Sequence, residues 1–139
     1  MIRRLRPGDE PLQIELARRF KEHAPTVDQS RAFLTDEHNW LLVASSDDNE
    51  PLGFALAYQM ARWDGRSMVF FYEIEVAAAC RSQGYGRALV EELLRLARAS
   101  GAYKMWVQTD EVNTPAMRLY ESCGATRKSP DDVMWSWTL

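Results

Sequence analysis

Arg81, Gly84 and Gly86 are spaced RxxGxG within RSQGYGR, residues 81–87, on the boundary between an aromatic, β-branched run and a leucine-striped one. Glycines at such a boundary let backbone N–H groups approach an anion closely, and a following helix presents roughly half a positive charge at its start. Arg81 and Arg87 add charge-assisted donors at the rim. The group that suits this arrangement is a diphosphate. The dinucleotide fingerprint GxGxxG competes, but no third glycine follows at the required place, and the preceding strand comes after antiparallel hairpins. A Walker loop needs Gly-Lys before Ser or Thr, which the chain lacks.

Glu73 and Glu75, in FFYEIEV at residues 70–76, share one strand face on regular alternation, and a local bulge would change which of them points in. Asp110 closes a second stretch, GAYKMWVQTD at residues 101–110. Side by side, these carboxylates would form an acidic cluster able to attract a cation and take a proton from it. Cys123 has no histidine near it in sequence and precedes Gly124, so it reads as a structural thiol rather than a nucleophile. Cys80 and Cys123 form neither a CxxC pair nor a dense disulfide framework, and both are expected to be reduced. His23 and His38 lack the HxxxH spacing of a metal pair, and no metal is expected. Among the tryptophans, only Trp63, beside a turn, is placed to stack on a ligand.

The elements that must position these residues follow from pattern. Ile2 to Arg6 reads as a strand stopped by Pro7 and Gly8, and Asp9 as the cap of a helix running from Pro11 until Pro25 ends it. A short helix spans Asp28 to Leu34. Asn39–Ser45 and Leu52–Met60 form a hairpin around the turn formers SDDNEP, and Asp64-Gly65 turns the chain into a third antiparallel strand, Met68–Val76. Leu89, Leu93, Leu96 and Ala97 then lie on one stripe of a helix from Gly84 to Ser100, stopped by Gly101. Lys104–Thr109 is a strand, Pro115–Cys123 a helix with proline in its first turn, and Val133–Thr138 a final strand. The strand, helix, strand unit makes Met68–Val76 and Lys104–Thr109 parallel, with their carboxyl ends on the edge that ligands favour. The fold class is therefore α+β, a mixed and mostly antiparallel sheet flanked by helices.

A chain of 139 residues has the common size of one domain, and 1–139 is read as a single unit without repeats or linkers. A net charge of −3 argues against a nucleic-acid partner and permits a cationic small molecule. No apolar run approaches the ~20 residues of a membrane span, and Met1 leads into Ile2, Arg3 and Arg4 without an apolar signal core, so a cytoplasmic location is expected.

Taken together, the Q/RxxGxG/A loop between strand and helix, and NTPAMRLYESCG with Asn113, Ala116, Leu119, Tyr120 and Gly124 in register, make the chain resemble the GNAT (Gcn5-related N-acetyltransferase) superfamily along nearly its whole length. YEIEV, GAYKMWVQTD, PAMRLY and the LGxxxAY segment from Leu52 to Tyr58 are similar to the short aminoglycoside 3-N-acetyltransferase branch. Glu75 and Asn113 depart from that branch, which carries a small residue and a more acidic loop there.

The resemblance implies acetyl-CoA as cosubstrate, a splay between the two parallel strands, and a pantetheine arm bonded like an extra strand to Ile74, Glu75 and Val76. It implies a pyrophosphate on the loop of Arg81, Ser82, Gln83, Gly84, Tyr85, Gly86 and Arg87, with Asn113 and Tyr120 also against the coenzyme. Glu73 and Asp110 are the favoured proton acceptors for an attacking amine, with Glu75 beside them in the substrate's path. Tyr120 is the choice for the acid that protonates the departing thiolate, and a backbone N–H near Val76 for the oxyanion donor. The acceptor expected is an aminoglycoside amine at its 3-N position, acetylated directly in a ternary complex. Another small-molecule or protein amine, or coenzyme binding without catalysis, are the alternatives. Edge strands and the C-terminal Trp135 and Trp137 give a further expectation, a homodimer.

Overall fold

A computed structural model describes all residues, 1–139. The elements in chain order are β1 (Ile2–Arg4), α1 (Glu10–Phe20), α2 (Val27–Thr35), β2 (Asn39–Ser45), β3 (Pro51–Ala61), β4 (Ser67–Val76), a 3-10 turn (Ala78–Cys80), α3 (Tyr85–Ala99), β5 (Met105–Val107) and α4 (Thr114–Ser122). One sheet carries the strands in the order β1-β2-β3-β4-β5. The first three pairings are antiparallel and β4 with β5 is parallel.

Each sheet face has its own core, because alternate residues of the central strands point opposite ways. Leu42, Ala55, Ala57, Val69 and Phe71 pack under Leu89, Val90, Leu93 and Ala97 of α3. Leu89 and Leu93 are fully buried, each contributing about 1.5–3 kcal/mol of transfer free energy. On the other face Val43 and Phe54 meet Leu5, Leu16 of α1 and Leu34 of α2. That second core covers only the β1 side of the sheet, so the face of β4 and β5 lacks a helix over it.

Several boundaries differ from the sequence reading, each for a local reason. Asp9 precedes α1 but does not cap it with its side chain, which instead takes a bidentate pair from Arg3 and the Arg6 N–H. This pairing holds the Asp9 carboxyl below the usual carboxylate range, the hydrogen bond from Arg3 contributing most. α1 stops at Phe20, short of Pro25, because Lys21 turns extended at φ −129° while its N–H still bonds Ala17 C=O. α2 begins on a capping box between Thr26 and Gln29 that the sequence reading passed over. The expected strand Val133–Thr138 does not form: nothing after Gly124 enters the sheet, and Trp135 and Trp137 are each 81% exposed. No helix is long and apolar enough to cross a membrane.

Candidate functional site

The sheet opens between β4 and β5, where the resemblance implies a splay. Pairing of β4 with β5 ends at Phe71 opposite Val107, while β4 continues beside β3 to Val76 opposite Gly53. Beyond Phe71 the β5-side edge of β4 is therefore without a strand. A bulge starts the divergence: Leu56 faces Glu73 and Ala57 faces Phe71, leaving Tyr72 without a partner. Ala77 N–H donates to Leu52 C=O across the β3 side, so alternation turns the N–H groups of Ile74 and Val76 the other way, into the gap. Val76 C=O on that side accepts from Arg81 Nε at 3.2 Å. An extended chain with its own amide groups could lie along this edge as an added strand.

The gap leads to the glycine loop. Ser82 has φ +60° and Gly84 φ +89°, and these left-handed residues curl the backbone into a nest ahead of α3. None of the amides from Ser82 to Arg87 donates a backbone hydrogen bond, and the first bond of α3 runs from Ala88 N–H to Gly84 C=O. Gly86 lies under α4, where a Cβ would meet Leu119 at 3.5 Å. Gln83 folds its side chain back onto Ala79 C=O, so the loop offers backbone donors. The donor set fits a diphosphate: free amides, a helix start and no carboxylate among residues 81–87. Arg87 differs from its expected place at the rim. Its guanidinium binds Glu91 at 2.9 Å and Ser122 C=O at 3.2 Å, clamping α3 to the end of α4.

Glu73 and Glu75 do share a face, since Ile74 and Val76 both pack against the α3-side core and the bulge falls before Glu73. Glu73 is half-buried beside the free edge, in an ion pair with Lys21. Asp110 is exposed, three positions past the last paired residue of β5, in a turn where its C=O takes the Asn113 N–H. No contact joins its carboxylate to Glu73. Asn113 spends its side-chain oxygen capping α4, accepting from Ala116 N–H at 3.3 Å. Tyr120 reaches the α3-side core, its ring edge-on to Phe71. Burial raises its pKa above the ordinary 10, so the phenol stays protonated through the physiological range. Trp63 is 97% exposed at the β3–β4 turn, the opposite end of β4 from Val76, and so stands apart from this site.

Residues 7–125 match the family described as "Acetyltransferase (GNAT) family". The chain belongs to that family. Among GNAT relatives, a streptothricin acetyltransferase of Streptomyces lavendulae is 29% identical over 132 residues, which is 95% of this chain; the chain spans 66% of that relative's own length. An aminoglycoside acetyltransferase, HMB0005, from an uncultured soil metagenomic sample superposes with a TM-score of 0.84 at 26% identity, covering 100% of this chain and 97% of that one. Another soil metagenomic aminoglycoside acetyltransferase, meta-AAC0020, solved with sisomicin, superposes at 0.89 with 22% identity over 100% of this chain and 95% of that one, a likeness of fold.

Two features of this GNAT site went unassigned in the sequence reading, the close approach at Gly53, which was quoted only as part of the LGxxxAY segment, and the pairing of Lys21. Gly53 lets β3 run close to β4: a Cβ there would lie 2.7 Å from the Glu75 carbonyl oxygen. Its presence in a strand of larger residues was the available signal. Lys21, just past α1, pairs with Glu73 from 52 residues away, and no local pattern announces such a contact.

Proposed function

We propose that this GNAT protein is an acetyl-CoA-dependent N-acetyltransferase that acetylates a primary amine of a polycationic small molecule, most specifically the 3-N amine of an aminoglycoside, by direct transfer in a ternary complex. One observation carries the reading: the amide nest of residues 82–87 and the strandless edge of β4 form one track that ends beside Glu73. The aminoglycoside and streptothricin acetyltransferases among its relatives support a polycationic amine as acceptor.

In this reading the nest takes the pyrophosphate, and Ile74 and Val76 bond the pantetheine arm through their gap-facing backbone, while the Glu75 backbone turns to β3 opposite Phe54. Acetyl-CoA supplies, when bound, a thioester carbonyl open to attack by an unprotonated amine. Glu73, directly or through a water, takes the proton from the incoming ammonium, and Asp110 and Glu75 add negative charge along its approach. A backbone N–H near Val76 that faces the gap donates to the oxygen on which charge develops. Tyr120 keeps its proton at neutral pH and gives it to the leaving sulfur. Asn113 serves by setting the start of α4, which carries Tyr120.

We read residues 1–139 as one such domain, working in a cytoplasmic setting that supplies acetyl-CoA and keeps Cys80 and Cys123 as the free thiols they are. The test is thiol release from acetyl-CoA with aminoglycosides, a streptothricin, polyamines and amino acids, followed by NMR of the product. Acetylation of an aminoglycoside at the 3-N position supports the full reading. Turnover only with other amines keeps the acetyltransferase and discards the drug, and tight acetyl-CoA binding with no turnover favours a binding module.

A further inference from the structure

The cleft next to the candidate base is already served by a primary ammonium, that of Lys21. It has a volume of about 160 Å³ between α1, α2 and the sheet, an apolar floor that includes Leu16, Phe33 and Leu56, and Lys21 and Glu73 at its polar side. Lys21 Nζ donates to Glu73 Oε2 and sits 5.1 Å from the centroid of the Phe54 ring. A carboxylate and an aromatic face are the partners that recognise any alkylammonium. Both members of the pair stay partly open to water, with side chains 38% and 29% exposed, so another cation can reach them.

The Lys21 side chain can swing away while the residue's own N–H stays bonded to Ala17 C=O. α1 is anchored before it, Arg19 binding Pro51 C=O and Glu50. After it, the amides of residues 22–24 donate no backbone hydrogen bond, and the chain is next fixed at the Thr26 capping box.

We propose that Lys21 is a specificity-determining residue: its ammonium competes with the acceptor's ammonium for Glu73, so that an amine enters only by displacing it. This rests on Glu73 being the acceptor's carboxylate, as in the function proposed above. An acceptor with several ammonium groups has further contacts to offset the displacement, Glu75 on the same strand face among them, whereas a monoamine has the exchange alone. The cost is the same factor for every acceptor, so the device favours polycations because their additional contacts keep them bound despite it. Exposed ion pairs are weak, so the closed form exceeds the open by about five-fold, which leaves about one molecule in six competent and reduces apparent affinity about six-fold.

The test compares the intact protein with Lys21→Met and Lys21→Arg, using a polycationic and a monoamine acceptor that the wild type acetylates. Lys21→Met is expected to lower KM about six-fold for both acceptors, and so to raise the rate at a fixed low concentration most for the weakly bound monoamine, while Lys21→Arg, which keeps the charge, stays near wild type. The chain has lysine only at positions 21, 104 and 128, so a [13C]methyl-lysine NMR spectrum gives an independent readout. Adding acceptor should shift the Lys21 resonance alone. If Lys21→Met, folded by circular dichroism, has an unchanged or raised KM, or if acceptor leaves the Lys21 signal in place, the competition is refuted even though turnover stands. Absence of turnover with every amine would instead remove the functional reading, and the competition with it.

Discussion

The Tyr120 ring meets Phe71 edge-on, with centroids 5.6 Å apart and planes at 77°. This contact ties α4 to β4 at the last residue before the sheet splays, and it is made by the ring rather than the hydroxyl. Tyr120→Phe should therefore keep the packing and remove only the proton donor. Expected are a thermal midpoint within about 2 °C of wild type, KM within about two-fold, and kcat lower by about 100-fold or more, the usual weight of a general acid. Steady-state kinetics beside calorimetric melting checks this; an unaltered kcat would leave Tyr120 a packing residue.

The pH dependence follows from the same burial. A phenol whose pKa in the folded chain is raised above 10 is protonated, and stabilises the fold, throughout the range below 10; both are lost as pH rises through the raised value. The alkaline limb of kcat should lie above pH 10 and vanish in Tyr120→Phe. A limb near neutrality that persists in that variant would assign it to another group.

Gly84 heads α3 at φ +89°, where a side chain costs roughly 1–2 kcal/mol in backbone strain. Gly84→Val should lose acetyl-CoA binding by titration calorimetry. Gly101→Val is the control: it carries similar strain at φ +76° after α3, away from the loop, and should retain coenzyme affinity while being similarly destabilised. Equal losses in the two variants would mean that the nest has no special part in binding.

Val133, Met134, Trp135 and Trp137 are exposed on a C-terminal segment without sheet partners, and β5 is an edge strand. The homodimer expectation now rests on those exposed side chains, not on a formed strand. Sedimentation should show a dimer at high concentration, shifted to monomer by Trp135→Ser with Trp137→Ser; a wild-type monomer throughout would end that expectation.

Most of the sheet could be read from the residues because its signals are local. Asn39–Ser45 is a run of apolar residues, Asp64-Gly65 is a turn pair, and the stripe Leu89, Leu93, Ala97 has helical spacing. The track between Gly84 and Glu73 was legible for the same reason, since glycines before a helix and acids on a strand sit in one continuous segment. What failed depended on distant partners. Val133–Thr138 alternates like a strand but finds no ladder, and β5 shortens to Met105–Val107 because the Tyr72 bulge swings β4 away. Asp9 resembles a cap until Arg3 claims it. Asp110 shares the carboxyl-end edge by topology, yet its side chain lies open in a turn, a placement no alternation rule gives.

Glu73 is the residue on which the account turns, since both the proton transfer and the Lys21 competition pass through it. The most direct measurement is thiol release from acetyl-CoA with an aminoglycoside acceptor by wild type, Glu73→Gln and Asp110→Asn, each checked for coenzyme binding. The account predicts that Glu73→Gln binds acetyl-CoA normally and loses about 100-fold or more in kcat/KM, with a smaller loss for Asp110→Asn. Wild-type turnover in Glu73→Gln would contradict it and move the base elsewhere.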